Sequence, residues 1–234
     1  MHALPARAPL VAWLGGGLFV VALGVFLYGY FVAFGSSSAS SGVAQPIGLN
    51  VALFTAFALH HSVLARSGAK RWLVRYLTPA LERTAYVWVA SLLFLGVCLG
   101  WQTVPGELYH QSGLAAGPHW LVVLSGAWLT ARAARVLDPL DLAGIRQASG
   151  QPSSADFKLA GPYLRLRHPI YLGWVLLVFG VPHMTATRFV FAVVSTLYLI
   201  IAIPFEERSL AEALGDRYRD YQRQVRWRLV PGIW

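Results

Sequence analysis

"LVAWLGGGLFVVALGVFLYGYFVAF", residues 10–34, runs without one charged side chain. It exceeds the ~20 residues a helix needs to cross the hydrocarbon of a bilayer. It is too long for the core of a secretion signal and leads to no convincing cleavage site, so it reads as a retained span. The rest of the chain agrees. Of its 234 residues 56% are hydrophobic and 12% charged, about half the charged share of an ordinary soluble domain. The chain reads as an integral membrane protein, and its formal charge of +9 then reports topology rather than nucleic-acid binding.

Five more apolar segments follow, at roughly 47–65, 84–104, 118–137, 169–182 and 186–205. The fold class is therefore all-α and polytopic, with about six membrane segments. The fifth is short, and "VPHMT" (181–185) turns the chain back, which makes segments five and six a helical hairpin. "SSSASSG" (36–42) is an uncharged loop. "ARSGAKRWLVRYLTPALER" (65–83) is basic and aromatic, an interfacial helix ending before Pro79. With the N-terminus inside, every Lys and Arg except Arg188 falls on the inner face, which places both ends in the cytoplasm.

Beyond the last span, Leu210, Leu214, Tyr218, Tyr221 and Val225 recur every three or four residues. That spacing draws one apolar stripe along a surface helix, and Gly215 is positioned to break it in two.

Unusual polar residues gather where the hairpin's two ends meet. Arg167, His168 and Tyr171 begin segment five, and Glu206 and Glu207 end segment six. Ionisable groups beside a span are costly and tend to line a polar cavity. An ion pair that merely fixes the hairpin explains the same spacing, and both readings stay open here.

Elsewhere the signals are weaker. His60 and His61 are adjacent and so point to different sides of one helix, which suits a single hydrogen bond better than a pair of haem ligands. Asp138 and Asp141 sit three apart without a further acidic partner, as in a helix-ending turn. "GGG" (15–17) lies inside a span, where it favours close helix packing. Cys98, the lone cysteine, lies in an apolar run and reads as a small buried residue. There is no Walker sequence, no serine-nucleophile elbow and no zinc spacing, so no metal is expected.

"GPYLRLRHPIYLGW" (161–174) followed by "FEERSLAEALGDRYRDYQ" (205–222) resembles the C-terminal core of the integral-membrane methyltransferases. These include isoprenylcysteine carboxyl methyltransferase, the phospholipid methyltransferases and the NnrU-like proteins. Upstream, "FALHHSVLARSGAKRW", "ERTAYVWVASLLF" and "LDLAGIRQ" look like stretches of the bacterial methanethiol S-methyltransferases.

The resemblance implies S-adenosylmethionine at the cytoplasmic end of the hairpin, in a bacterial inner membrane. It implies that Leu159, Gly161 and Tyr163, with His168 and Pro169, hold the cofactor, with Tyr171 packed beside them. Glu206 and Glu207 would accept hydrogen bonds from its ribose or ammonium, and Tyr218 and Tyr221 would close a lid. Residues 1–137 would form scaffold and substrate access, and residues 138–234 the catalytic core.

Methyl transfer needs chiefly positioning and exclusion of water. A thiol acceptor must first become a thiolate, and His168 is a candidate base. Arg167 would stabilise the anion or hold a substrate carboxylate. An apolar thiol would arrive between segments two, three and five, past His61 or Tyr86. A small hydrophobic thiol such as methanethiol is the first acceptor considered. A prenylcysteine carboxylate or lipid amine is the second, and a non-enzymatic protein of nitrogen-oxide or haem metabolism the competing class.

Overall fold

The computed structural model describes residues 7–36, 42–64, 79–151 and 159–234. In chain order the elements are α1 (Ala8–Phe31), α2 (Ala44–Leu64), α3 (Pro79–Gly100), β1 (Glu107–His110), α4 (Ala116–Val136), α5 (Pro139–Leu142), α6 (Ile145–Ala148), α7 (Pro169–Phe179), β2 (His183–Thr185), α8 (Ala186–Leu214) and α9 (Asp216–Gln224). The expected all-α architecture is therefore present, with one addition, a short antiparallel β1–β2 ladder. The proposed interfacial helix falls largely on residues 65–78, outside the described residues.

Each of the six expected segments contains a helix, but the number of spans is corrected. Among the described residues four helical stretches are long and apolar enough to cross a membrane, at Ala8–Gly35, Leu81–Gly100, Gly113–Val136 and Ala186–Leu214. Helix α2 has the length, at 21 residues, but Gln45, Asn50, Thr55, His60 and His61 dilute its apolar character. Helix α7 has only 11 residues. At 1.5 Å per residue it rises about 17 Å, roughly half the hydrocarbon thickness. The long helices keep large apolar side chains outward, including Trp13, Val20, Leu121, Trp128, Leu197 and Ile201, as suits a lipid solvent.

The chain divides into two compact units. The first holds α1, α2, α3, α5 and α6. Helix α1 buries Ala8, Ala12, Gly15, Ala22, Phe26, Gly29 and Tyr30, a stripe of small residues and aromatics at helical spacing. A Cβ on Gly15 would stand 2.8 Å from the Trp88 indole, so the close packing expected of the glycine run is real at that position. Trp88 Nε1 also donates to the Val11 carbonyl at 3.0 Å.

Asn50, fully buried in α2, donates to Gln102 O at 2.9 Å and accepts from Gln102 N at 2.7 Å. A buried amide in an apolar helix is tolerated when so matched. Asp138, at φ 59, accepts from Leu140 N and pairs with Arg146 at 2.6 Å. That arrangement builds a turn, as the spacing of the aspartates suggests. Cys98 is buried.

The second unit holds β1, α4, α7, β2, α8 and α9. Helices α4 and α7 approach until their backbones touch. A Cβ on Gly126 would lie 2.6 Å from the Gly173 carbonyl, and one on Gly180 would lie 2.8 Å from Val123's neighbour Val122. Helix α8 runs for 29 residues and carries Pro204 within it. Trp174 Nε1 donates to Ser195 Oγ at 3.0 Å, tying α7 to α8. Gly215, at φ 58, ends α8 and opens α9. Tyr218, Tyr221 and Val225 then pack with Leu210, Ala211 and Leu214, which is the broken apolar stripe anticipated from the sequence.

Candidate functional site

The start of α7 and the C-terminal part of α8 are brought together by the hairpin, and their polar residues meet. Pro169 occupies the first turn of α7, where its missing N–H costs nothing. The two residues before it are held by the chain's C-terminal segment. Arg167 N donates to Trp227 O at 3.0 Å, and His168 N donates to Arg228 O at 2.9 Å. Both side chains are thereby aimed at α8.

Glu207 is the hub. Its carboxylate lies 3.0 Å from Arg167 Nε and 3.1 Å from Arg228 Nε. It also lies 3.3 Å from His168 Nε2 and 3.4 Å from Gln222 Nε2. Glu207 is 4% exposed, a depth at which a carboxylate survives only if matched by charge and hydrogen bonds. Two guanidinium groups supply that match.

Glu206, one residue earlier, has a different environment. Its side chain is 44% exposed. Its Oε2 accepts from Tyr171 Oη at 2.6 Å and lies 3.6 Å from His168 Nδ1. The His168 ring is buried and stacks on Tyr171, with centroids 5.3 Å apart and planes 15° apart. Arg167, His168, Tyr171, Glu206 and Glu207 thus form one connected cluster.

The other residues named from the sequence fall around it. Gly161, at φ 57, opens a tight turn over Gly161–Leu164 that includes Tyr163, and Leu159 is exposed just before. Tyr218 and Tyr221 are buried. The Tyr221 hydroxyl donates to Tyr163 O at 3.0 Å and to Leu166 O at 3.3 Å, so α9 is fastened to the backbone that leads into His168. Burial pushes the phenols of Tyr163, Tyr218 and Tyr221 well above their ordinary range, which keeps Tyr221 a donor.

A cleft beside these paired segments is lined by Leu164, Arg165, Val225, Arg226 and Trp227. In the first unit, Tyr86 Oη and His61 Nδ1 stand 2.8 Å apart. That matches the single hydrogen bond expected of the histidine pair.

Sequence reasoning missed Arg228 and Gln222. Their signal was the dense basic run of the last thirteen residues, "QRQVRWRLVPGIW", whose register against Arg167 and His168 cannot be read from spacing. Arg228 is held in turn by the Trp234 ring, 5.6 Å away.

Relatives among characterised proteins carry one recurrent name. The chain is 36% identical over 203 residues to methanethiol S-methyltransferase 2 of Bradyrhizobium diazoefficiens, covering 82% of this chain and 76% of that protein. It is 35% identical over 218 residues to methanethiol S-methyltransferase of Mycobacterium tuberculosis, covering 86% and 89%. Against methanethiol S-methyltransferase of Crocosphaera subtropica it is 32% identical over 212 residues, covering 84% and 79%. No family model matches the chain, and no solved structure does.

Fold and relatives together define a polytopic membrane methyltransferase. The chain belongs to the methanethiol S-methyltransferase family. It is an enzyme, and the non-enzymatic reading is set aside.

Proposed function

We propose that this protein transfers a methyl group from S-adenosylmethionine to methanethiol, or to a similarly small hydrophobic thiol, at the end of the hairpin formed by α7 and α8. The observation that carries the proposal is the pairing of a buried, fully matched Glu207 with a half-exposed Glu206 on the same helix. One carboxylate builds the site and the other faces a ligand.

The side chains fit the methyl donor chemically. Glu206 suits an ammonium or a pair of ribose hydroxyls, and Arg165 and Arg226 in the adjoining cleft suit a carboxylate. Leu159, Gly161 and Tyr163, with Pro169, would bound the adenosine. Tyr221 acts from behind the site by fixing the loop in place, and Tyr218 packs against it. When bound, S-adenosylmethionine supplies a methyl group on a sulfonium, an electrophile that needs no further activation.

The protein's remaining task is the proton. A thiol attacks as thiolate, so its proton must leave before the new carbon–sulfur bond forms. In the tautomer that donates from Nε2 to Glu207, His168 presents Nδ1 as the acceptor. The Glu206 carboxylate lies 3.6 Å from that nitrogen, on the side where the proton would be received. Arg167 balances Glu207 and keeps that arrangement closed. His61 and Tyr86 would line the acceptor's approach.

The protein would sit in a bacterial inner membrane; with α2 and α7 counted as crossings beside the four long helices, both ends are cytoplasmic and every Lys and Arg except Arg188 lies on one face. Residues 138–234 would carry the catalytic core, with residues 1–137 as scaffold and access. The test is incubation of purified protein with S-adenosylmethionine and methanethiol, followed by headspace measurement of dimethyl sulfide and assay of S-adenosylhomocysteine. Equal amounts of both products are expected. Turnover with a prenylcysteine or lipid amine, and none with methanethiol, would overturn the choice of acceptor.

A further inference from the structure

The β1–β2 ladder assembles a second cluster that methyl transfer does not use. Its register sets His110 directly opposite His183 and Glu107 opposite Thr185, with a bulge between Glu107 and Tyr109. His183 and Thr185 are two apart and share a face of the strand, so Glu107 becomes a diagonal neighbour of His183 on that face. The side chains follow. The His110 and His183 rings stack with centroids 4.3 Å apart, and His183 Nε2 lies 2.7 Å from Glu107 Oε2. One donor atom from each of the three lies within 4.8 Å of the others. Tyr109, the intervening residue, instead places its ring near His119.

We infer that Glu107, His110 and His183 bind a divalent transition-metal ion of the zinc class. Two imidazole nitrogens and one carboxylate oxygen suit such ions. Magnesium and calcium prefer an all-oxygen shell. Metal–donor distances of about 2.1 Å require the donors to re-space by roughly an ångström, with the His183–Glu107 contact opening around the ion.

That movement is inexpensive here. The side chains of Glu107 and His183 are 46% and 25% exposed, and β1 is flanked by loops on both sides. Arg188, a cation close by, already donates to the His183 carbonyl at 2.6 Å and is oriented by it. Three protein donors leave a position for water.

The ion would clamp β1 to β2 immediately before α8. From Ala186 to Glu207 the helix rises about 30 Å, so this clamp stands at the opposite end of α8 from the methyl-transfer cluster. The assignment does not depend on the nature of the methyl donor or acceptor.

The experiment uses tag-free full-length protein in detergent, stripped with chelator and titrated with Zn2+ alone. Binding of a single equivalent is expected, with a rise in the thermal midpoint that Mg2+ does not reproduce. The variants His110→Gln and His110→Gln/His183→Gln should lose affinity by at least about tenfold and lose the thermal gain. His110→Gln retains the His183–Glu107 contact, so its midpoint in chelator should match the unaltered protein and certify the fold. Failure of the folded, unaltered protein to bind Zn2+ would overturn the inference. So would binding that both variants preserve, since the ion would then sit on other histidines.

Discussion

Tyr171 and Glu206, 35 residues apart in the chain, meet through a hydrogen bond of 2.6 Å from phenol to carboxylate. The contact fixes the rotamer of the more exposed of the two glutamates and holds the ring on which His168 stacks. Tyr171→Phe keeps the stack and removes the bond. We expect weaker binding of S-adenosylhomocysteine by about fivefold to tenfold, as the loss of about 1–1.5 kcal/mol implies, with the thermal midpoint nearly unchanged. Isothermal titration and a melting curve on the same preparation check both halves.

The adjacent glutamates should separate cleanly by substitution. Glu206→Gln is expected to impair ligand binding while the protein melts as before. Glu207→Ala leaves Arg167 and Arg228 facing each other without their counter-ion, and removal of one partner from a buried pair costs about 3–5 kcal/mol. The melting midpoint should fall markedly, and the ligand affinity with it. Equal melting of the two variants would contradict the division of labour between them.

Tyr221→Phe tests whether α9 acts by holding the loop before His168. Its hydroxyl serves two backbone carbonyls, at Tyr163 and Leu166, and the ring itself remains packed in the variant. A loss of about 1–2 kcal/mol is expected, read as faster hydrogen exchange confined to residues around 161–168 and as a reduced apparent ligand affinity.

Helix packing gives a sharper test of the fold. Gly126 and Gly173 bring α4 and α7 into backbone contact, and a Cβ at either meets main-chain atoms that cannot move aside. Gly126→Ala should lower stability by at least about 1–3 kcal/mol. Gly17→Ala, in the same kind of apolar helix but with open space around it, should be almost silent. Comparison of their melting midpoints in detergent decides the matter.

How much of this was legible in the sequence depends on the kind of signal. The long apolar runs, the hairpin turn and the break at Gly215 rest on composition and helical period, and each appears where the residues require it. The convergence of Arg167, His168 and Tyr171 with Glu206 and Glu207 followed from hairpin geometry alone. The span count differs because polar residues dilute the long helix α2, and because α7, short already as a sequence segment, is shorter still as a helix.

Three further things were hidden. The partnership of Arg228 with Glu207 depends on a C-terminal segment that pairs through its backbone, and no side-chain period announces it. The β1–β2 ladder comprises strands of four and three residues, too short for an alternating pattern to stand out. The different environments of Glu206 and Glu207 depend on a rotation about the α8 axis that adjacency in sequence cannot reveal.

The most direct measurement is isothermal titration of the purified, folded protein with S-adenosylmethionine and S-adenosylhomocysteine, alongside Glu206→Gln. The account predicts that both ligands bind the unaltered protein and that the variant binds them roughly tenfold or more weakly, a loss of about 1.4 kcal/mol or more. Absence of binding in demonstrably folded protein, or unchanged affinity in the variant, would contradict a methyl-donor site at Glu206.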